Sequence, residues 1–161
     1  MRKFEKISYK QFKKDVCDDK ELYDSISIPK RSTTHSAGYD IRSVVNVTIK
    51  QGDSAIIKTG IKVDMNETEV LYIFDRSSLG FKYDVFLSNS VGVIDSDYYN
   101  NEDNEGHIQI KLINMGKKDF EVKIGDRIAQ GVFMEYLTVD DEEIINIKRK
   151  GGIGSTNKEE K

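Results

Sequence analysis

The sequence is poor in the residues that build redox centres and histidine metal sites. Its 161 residues include one cysteine, Cys17, and two histidines, His35 and His107. A single cysteine excludes a disulfide within the chain and a CxxC zinc site, and two histidines leave little for a histidine-based metal centre. A divalent metal would therefore have to bind to oxygen ligands.

Long apolar runs and a strong charge of one sign are also missing. No apolar run reaches the roughly 18 residues of a transmembrane helix, and the charged start MRKFEKISYK lacks the apolar stretch of a signal peptide. The 25 Lys and Arg against 28 Asp and Glu give a net charge of −3. Domains that coat nucleic acid usually carry a basic excess. We therefore expect a single cytoplasmic domain without a membrane or a nucleic-acid polymer as its partner.

Glycine is absent from the first 37 residues, and all 12 glycines lie between Gly38 and Gly154. In the region without glycine, Ser8 could cap a short helix through YKQFKKDV. Asp18 or Asp19 could cap another through KELYD. The shift in composition indicates that short helices pack on the side of a different kind of structure.

Apolar and polar residues alternate with period two in four later segments, 45–50, 61–65, 108–112 and 120–124. Glycine-containing turn signals separate the segments. The run at residues 70–74 is apolar on both faces, which fits a central strand. Many short strands predict an all-β sandwich or barrel of jelly-roll type. The lack of strand–helix alternation argues against a Rossmann-like sheet.

These patterns divide the chain into three parts. We expect residues 1–34 to form the short-helical N-terminal segment, residues 35–147 to form the β domain, and residues 148–161 to form a tail. The tail contains three glycines, several charges and a single apolar residue, Ile153, so by itself it predicts a flexible end.

Two polar segments could bind a ligand but also have ordinary structural explanations. Asp40 in AGYDI is most simply a turn residue that bonds to its own backbone. In DRSSLG, the ordinary explanation of Ser77 and Ser78 is that they cap a helix through Leu79–Tyr83. The free N–H groups at such a helix start, with Arg76 beside them, would also suit phosphate.

The segment SNSVGVIDSDY is the richest in chemistry. Asn89 offers donors and an acceptor with which to read a pyrimidine edge, and Gly92 indicates a close backbone approach. Asp95 follows an apolar run and, if partly desolvated, could take a proton from water. Tyr98 offers a flat face to a sugar. A structural Asp-Ser-Asp turn explains the same residues equally well, so the residues alone leave both explanations open.

Two more segments complete the set. GDRIAQ is typical of a turn that enters a strand. The tail sequence RKGGIGST is similar in composition to a phosphate loop, but it is not a Walker A motif because no Gly-Lys-Ser/Thr ends it. Its glycine N–H groups, two hydroxyls and Arg149 could still wrap a polyphosphate.

In this order, AGYDI, RSSLG, SNSVGVIDSDY, GDRIAQ and GGIGST resemble the five motifs of the trimeric dUTPases, the deoxyuridine triphosphate pyrophosphatases. The resemblance spans roughly residues 29–157. It implies a jelly-roll subunit and a homotrimer whose active sites lie at subunit interfaces, each closed by the tail of a neighbouring chain. It also implies Mg²⁺-assisted hydrolysis of dUTP to dUMP and pyrophosphate. Such a reaction limits uracil incorporation into DNA and supplies dUMP for dTMP synthesis.

The resemblance also implies roles for individual residues. Asp95 would be the general base that activates water for attack on the α-phosphorus. Asn89, with the backbone near Gly92 and Val93, would read the uracil edge. Tyr98 would lie under the deoxyribose and leave no room for a 2′-hydroxyl.

The remaining roles concern the phosphates and the metal. The set that would hold the phosphates comprises Arg76, Ser77, Ser78 and Gln130. The tail set, which would close over the bound nucleotide, comprises Arg149, Ile153, Gly154, Ser155 and Thr156. Asp40 belongs to the motif usually linked to the metal site, where it would act through water.

The sequence departs from the family pattern at three places. Ile153 stands where the tail usually has an aromatic residue that stacks on uracil, and isoleucine has no π face. Ser78 stands where a glycine usually follows the Arg-Ser pair. The acidic stretch Tyr99–Glu105 extends the hairpin after Tyr98, and its effect cannot be predicted from the sequence.

Two alternative functions use the same fold. A dCTP deaminase has a similar Arg-Ser-Ser segment, but it places a catalytic Glu five residues beyond the glycine of the following hairpin strand. The same count from Gly106 leads to Lys111, which disfavours deamination. The second alternative is a nucleotide-dependent regulatory protein without catalysis. The joint presence of Asp95, Arg76 and Arg149 argues against it.

Overall fold

The computed structural model describes residues 1–143 and 149–152. Within these ranges the chain forms twelve β-strands and three short α-helices, with a 3₁₀ turn at Ser96–Tyr98. The strands are β1 (Lys3–Lys6), β2 (Lys30–Arg31), β3 (Tyr39–Arg42), β4 (Val47–Ile49), β5 (Ser54–Lys58), β6 (Ile61–Asp64), β7 (Glu69–Phe74), β8 (Val85–Leu87), β9 (Gly92–Asp95), β10 (Gln109–Asn114), β11 (Phe120–Val122) and β12 (Arg127–Glu135). The helices are α1 (Tyr9–Asp15), α2 (Lys20–Ser25) and α3 (Ser77–Tyr83).

The largest sheet has the strand order β2-β3-β12-β7-β9 and is antiparallel throughout. Strand β7 lies between β12 and β9, so the run that is apolar on both faces is an inner strand, as predicted. Its register places Val70 opposite Asp95 and Phe74 opposite Gln130. One strand therefore connects the third motif to the fourth.

The smaller sheets have the orders β5-β10-β8, β1-β6 and β11-β4. The four alternating segments of the sequence correspond to β4, β6, β10 and β11, with ends displaced by one or two residues. The predicted all-β class of jelly-roll type is confirmed. Among the described residues the sheets form a sandwich rather than a closed barrel.

Both predicted N-terminal helices are present. The Ser8 hydroxyl accepts a hydrogen bond from the Gln11 N–H at 3.1 Å and caps α1, and the Asp19 carboxylate accepts one from the Leu22 N–H at 2.9 Å and caps α2. Strand β1, which pairs with β6 ahead of these helices, was not predicted. Its four residues, KFEK, are too few and too charged to show an alternating pattern.

One apolar core joins the N-terminal residues to the strands. Ile7 and Phe12 are fully buried and belong to the same cluster as Ile41, Leu71 and Ile110. Because burial of a large side chain contributes roughly 1.5–3 kcal/mol, the first helix stabilises the β sandwich directly. Within residues 1–143 and 149–152, no helix is both long and apolar enough to cross a membrane.

Candidate active site

A cavity of about 430 Å³ opens beside β9 and β10. It is lined by five residues of the third motif that were predicted to belong to the site: Asn89, Gly92, Val93, Asp95 and Tyr98. Its apolar walls are Ile73, Leu87, Ile94, Ile108 and Ile110. Mostly apolar walls with a few polar groups are typical of small-molecule sites, which usually exceed roughly 300 Å³.

A tight turn between β8 and β9 presents Asn89 at the mouth of this cavity. Ser90 has a positive φ of 62°, and its N–H donates to the Leu87 carbonyl at 3.1 Å. The Asn89 side-chain amide is exposed and has no hydrogen-bond partner in the part of the chain that the structure describes. Its donors and its acceptor are therefore available to a ligand edge.

Gly92 forms part of the cavity floor because it lies opposite Ile73. A Cβ atom at this position would lie 3.0 Å from the Ile73 Cβ, closer than side chains ordinarily approach. The predicted close backbone approach is thus confirmed, with β7 as the neighbour. Any larger residue would displace the wall of the cavity.

Asp95 ends β9 at the edge of the cavity, and its side chain is 49% exposed. The guanidinium of Arg149 contacts two carboxylates here, with Nη2 at 2.5 Å from Asp95 Oδ2 and Nε at 2.7 Å from Asp97 Oδ1. Asp95 is therefore half-exposed and paired with a cation rather than enclosed in apolar surroundings. Arg149 lies against the pocket of its own chain.

Tyr98 lines the cavity with its ring and is held by its hydroxyl. The hydroxyl donates to the His107 carbonyl at 3.1 Å and accepts from the Asn104 amide at 2.8 Å. Burial raises the pKa of the Tyr98 phenol, so the hydroxyl stays protonated at neutral pH. Gly152 packs here, where an added Cβ would lie 3.1 Å from the phenol oxygen.

Asp95, Asp97 and Arg149 form one polar group beside the cavity. A second polar group surrounds Asp40 on β3. Its Oδ1 lies 3.1 Å from Arg76 Nε, and its Oδ2 lies 3.1 Å from Arg127 Nη1 and 2.6 Å from the Ser32 hydroxyl. Partial burial alone would raise the pKa of Asp40, but the hydrogen bonds from Ser32 and Arg127 and the charge of Arg76 hold it below the ordinary value. Asp40 thus belongs to a strand and not to a turn, and it is ionised.

Gln130 lies beside this group on β12, opposite Asp40 on the neighbouring strand. Its amide donates to the Asp75 carbonyl at 2.9 Å. Gly38 makes room for it, because a Cβ there would clash with the Gln130 side-chain oxygen. The first and fourth motifs are therefore physically joined, and Gln130 is held next to the residue before Arg76.

Helix α3 begins differently from the prediction. The sequence predicted a serine cap on a helix through Leu79–Tyr83, whereas α3 begins at Ser77 and has Arg76 at the N-cap position without a side-chain capping bond. The serines therefore form the first turn of the helix and not its cap. The first N–H groups of α3 therefore receive no side-chain capping bond.

The two polar groups lie at opposite ends of β7. Asp95 pairs with Val70, whereas Gln130 pairs with Phe74, four residues further along the strand. At about 3.3 Å per residue this separates the paired positions by about 13 Å along β7 alone. Arg76, Ser77 and Ser78 are absent from the described residues that line the cavity. One chain thus brings together the third-motif residues, Arg149 and Gly152, but not the phosphate set. Ile153, Gly154, Ser155 and Thr156 lie outside the described residues.

Comparison with known protein families matches a range of the chain that contains both polar groups. The dUTPase family model matches residues 24–157. This chain belongs to the dUTPase family. The matched range contains both polar groups and the cavity, and residues 1–23 lie before it.

Relatives with this family name cover most of the chain. A deoxyuridine 5'-triphosphate nucleotidohydrolase of Lactococcus lactis is 50% identical over 132 residues, which are 81% of this chain and 88% of that protein. The solved structure of a dUTPase from Streptococcus mutans is 43% identical and superposes with a TM-score of 0.72, covering 86% of this chain and 98% of that chain. The family resemblance and the fold predicted from the motifs are therefore confirmed.

A more distant structural neighbour is known with a metal ion. The mutant dUTPase from phage phi11 of Staphylococcus aureus is 19% identical, with a TM-score of 0.67 over 89% of this chain and 96% of that chain. Its structure reveals the coordination of a structural Mg(II) ion in that protein. At 19% identity, this similarity shows only that our dUTPase family member and the phage protein share a fold.

The described part of this dUTPase family member contains no preformed set of protein ligands for a metal ion. Asp40, the predicted metal-site residue, has both carboxylate oxygens engaged by Arg76, Arg127 and Ser32. Within residues 1–143 and 149–152, no cluster of three or more His, Cys, Asp or Glu side chains could hold a metal. Magnesium dehydrates reluctantly and often binds through substrate phosphates, so the fold does not need such a cage.

Arg127 is a site residue that the sequence did not single out. It follows Gly125 and Asp126 in the fourth motif, where the pattern indicated only a turn entering a strand. Its contact with Asp40 links positions 87 residues apart. The only signal in the sequence was the charge of Arg127 inside a motif otherwise explained by its turn.

Proposed function

We propose that this protein hydrolyses dUTP to dUMP and pyrophosphate. The observation that carries the proposal is the cavity in which Asn89, Tyr98 and Asp95 meet. The free Asn89 amide suits a pyrimidine edge, the Tyr98 ring suits a sugar, and the Asp95 carboxylate lies at the edge where the phosphates would leave the cavity. Membership in the dUTPase family supports the substrate.

Asp95 is the residue we propose as general base. Its half-exposed carboxylate is accessible to water, and a carboxylate can accept the proton of a water that attacks the α-phosphorus. Its ion pair with Arg149 opposes this role, because the guanidinium occupies the Oδ2 atom that would otherwise be open to water. We infer that Arg149 turns from Asp95 to the substrate phosphates before hydrolysis, which frees Asp95.

The phosphates would be held by Arg76, Ser77, Ser78 and Gln130. In one chain these residues lie away from the cavity, at the opposite end of β7 from Asp95. We therefore propose that the phosphate set of one chain completes the cavity of another in a homotrimer. Exposed apolar side chains support an assembly of this kind: Phe81 is 93% exposed and Leu137 is 97% exposed.

We propose Mg²⁺ as the metal that accompanies the substrate, held by phosphate oxygens and water. When bound, such an ion neutralises charge on the phosphates. The chain's own contribution is cationic, from Arg76, Arg127 and Arg149. Because the protein carries a net charge of −3, it must meet a triphosphate with local positive charge rather than with a basic surface.

In the cell, hydrolysis of dUTP would limit uracil incorporation into DNA and supply dUMP for dTMP synthesis. The cytoplasmic location expected from the sequence stays a prediction. Lys111, to which the count from Gly106 leads, lines the cavity. A lysine ammonium there cannot shuttle protons as a carboxylate does, which supports hydrolysis over deamination.

The deciding experiment measures pyrophosphate release from dUTP, dTTP, dCTP and UTP, with and without Mg²⁺, and ammonia release from dCTP. We expect pyrophosphate from dUTP alone, at a rate that rises with Mg²⁺. Ammonia from dCTP would favour the deaminase. Tight binding of dUTP without release of pyrophosphate would favour the nucleotide-dependent regulatory protein.

A further inference from the structure

The acidic loop between Tyr98 and His107 is closed on itself by two asparagines. The buried Asn101 amide donates to the Tyr98 carbonyl at 2.8 Å and to Asn104 Oδ1 at 2.9 Å. Its own Oδ1 accepts from the backbone N–H groups of Asp103 and Asn104 at 3.1 Å each. Although polar and charged, the loop therefore has one defined shape.

Asn104 carries the side chain that reaches from this loop to the phenol of Tyr98. Its Nδ2 donates to the Tyr98 hydroxyl at 2.8 Å, while its Oδ1 accepts from the Gly106 N–H at 3.0 Å. The hydroxyl in turn donates to the His107 carbonyl at 3.1 Å. The phenol oxygen thus has a fixed donor and a fixed acceptor, and its ring cannot rock without breaking one of them.

The N-terminal segment holds the loop from the other side. Glu105 accepts from the Ser8 N–H at 2.8 Å and from the Ser8 hydroxyl at 2.6 Å. Lys14 donates to the Asp103 carbonyl at 3.0 Å, and Asp15 lies 2.6 Å from His107 Nδ1. The second half of the loop is therefore anchored to the N-terminal segment and cannot drift with Tyr98.

We propose that Asn104 is a specificity-determining positioning residue, which fixes the Tyr98 ring against the sugar and so sets the discrimination between deoxyribonucleotides and ribonucleotides. The inference rests on the proposed function, because it takes Tyr98 as the residue under the deoxyribose. Asn104 is absent from the described residues that line the cavity, whereas Tyr98 is among them. Asn104 therefore acts through Tyr98 and not by touching the nucleotide.

Discrimination between the two sugars depends on the room for one oxygen atom beside the Tyr98 ring. A 2′-hydroxyl is excluded only while the ring stays in place, and a ring displaced by a fraction of its own thickness would admit it. A hydrogen bond of ordinary strength favours the held position by a factor of about five to ten. Loss of the Asn104 donor should therefore relax discrimination by about the same factor.

The test is a double-mutant cycle on the full chain with Asn104→Ala and Tyr98→Phe. The readout is the ratio of kcat/KM for dUTP to kcat/KM for UTP. We expect each single variant to lower this ratio by about fivefold to tenfold, through a lower KM for UTP. The double variant should be no worse than the more affected single variant, because both changes remove the same contact.

Two further variants separate positioning from loop structure. Asn104→Asp keeps the acceptor that closes the loop through Gly106, and its second carboxylate oxygen can accept from the Tyr98 hydroxyl. The ring should then stay in place, and the ratio should stay within about twofold of the parent protein. Asn100→Asp adds the same negative charge to the same loop, at an exposed residue that contacts Lys62 and not Tyr98. It should leave the ratio within twofold of the parent protein.

Three results would overturn the inference: an unchanged ratio in Asn104→Ala, effects of Asn104→Ala and Tyr98→Phe that multiply, or an equal change in either aspartate variant, Asn104→Asp or Asn100→Asp. If Asn104→Ala does not fold, Asn104→Leu decides the matter, since leucine is nearly isosteric with asparagine and cannot hydrogen-bond to the phenol. Failure of the parent protein to release pyrophosphate from dUTP would instead refute the proposed function.

Discussion

Acid should destabilise this protein through His107 before its carboxylates begin to titrate. The imidazole is fully buried, its Nε2 accepts from the Gly60 N–H at 2.9 Å, and its Nδ1 lies 2.6 Å from Asp15. With Nε2 as acceptor, the ring is neutral and carries its proton on Nδ1. Burial lowers the pKa of His107, and Lys58 adds to this, although Asp15 and Glu105 oppose it.

The sign and size of the effect follow from proton linkage. Below the ordinary pKa of 6.5 the unfolded chain binds a proton at His107 that the native fold does not, so stability falls as the pH falls. The slope is at most about 1.4 kcal/mol per pH unit for one proton. From pH 8 to pH 5 the loss is therefore at most about 2 kcal/mol.

Urea unfolding between pH 5 and pH 8 measures this dependence as the free energy of unfolding. His107→Gln cannot take up a proton in this range and should flatten the slope. His35→Gln is the matched control, because it removes the only other histidine, which is exposed, and should leave the slope as it is. An equal slope in the parent protein and in His107→Gln would refute the reasoning.

Three other changes test the catalytic residues and the core. Asp95→Asn should fold and lose at least about 100-fold in kcat for dUTP, because an amide cannot accept the proton of water; near-normal turnover would mean another base. Deletion of residues 148–161 should cripple turnover and leave the thermal midpoint nearly unchanged, since the tail contributes little apolar surface; full activity would show that the tail has no part in catalysis. Phe12→Ala should lower the free energy of unfolding by about 3–5 kcal/mol in urea, because the fully buried ring leaves a cavity, and a loss below about 1 kcal/mol would contradict a shared core.

Local features of the fold could be predicted from the sequence because they depend on near neighbours. Ser8 and Asp19 cap their helices through N–H groups three residues away, and alternating segments became strands wherever one face is buried. The third-motif residues come together for the same reason. Asn89 and Tyr98 flank a short turn and one strand, so their chain separation already limits their distance.

Long-range pairing could not be predicted in this way. Glu105 and Ser8 are 97 residues apart, and Asp40 and Arg127 are 87 residues apart. Nothing in the local pattern of a carboxylate specifies which distant cation or hydroxyl it will meet. The same limit applies to Arg149, because nothing in its local pattern specifies a contact with Asp95, 54 residues away along the chain. Its contact with a phosphate stays a prediction.

The two parts of the chain without an evident role in the sequence form one structural unit. The N-cap Ser8 and the α1 residue Lys14 contact the acidic loop, and the loop contacts Tyr98 through Asn104. A change in the first 15 residues can therefore reach the sugar side of the cavity without touching the nucleotide. These contacts link a helix anchored by the fully buried Phe12 to a wall of the cavity. Loss of helix packing should therefore appear first as weaker discrimination at the sugar. Loss of hydrolysis should follow only later, because the proposed general base Asp95 lies on β9 and is held by β7.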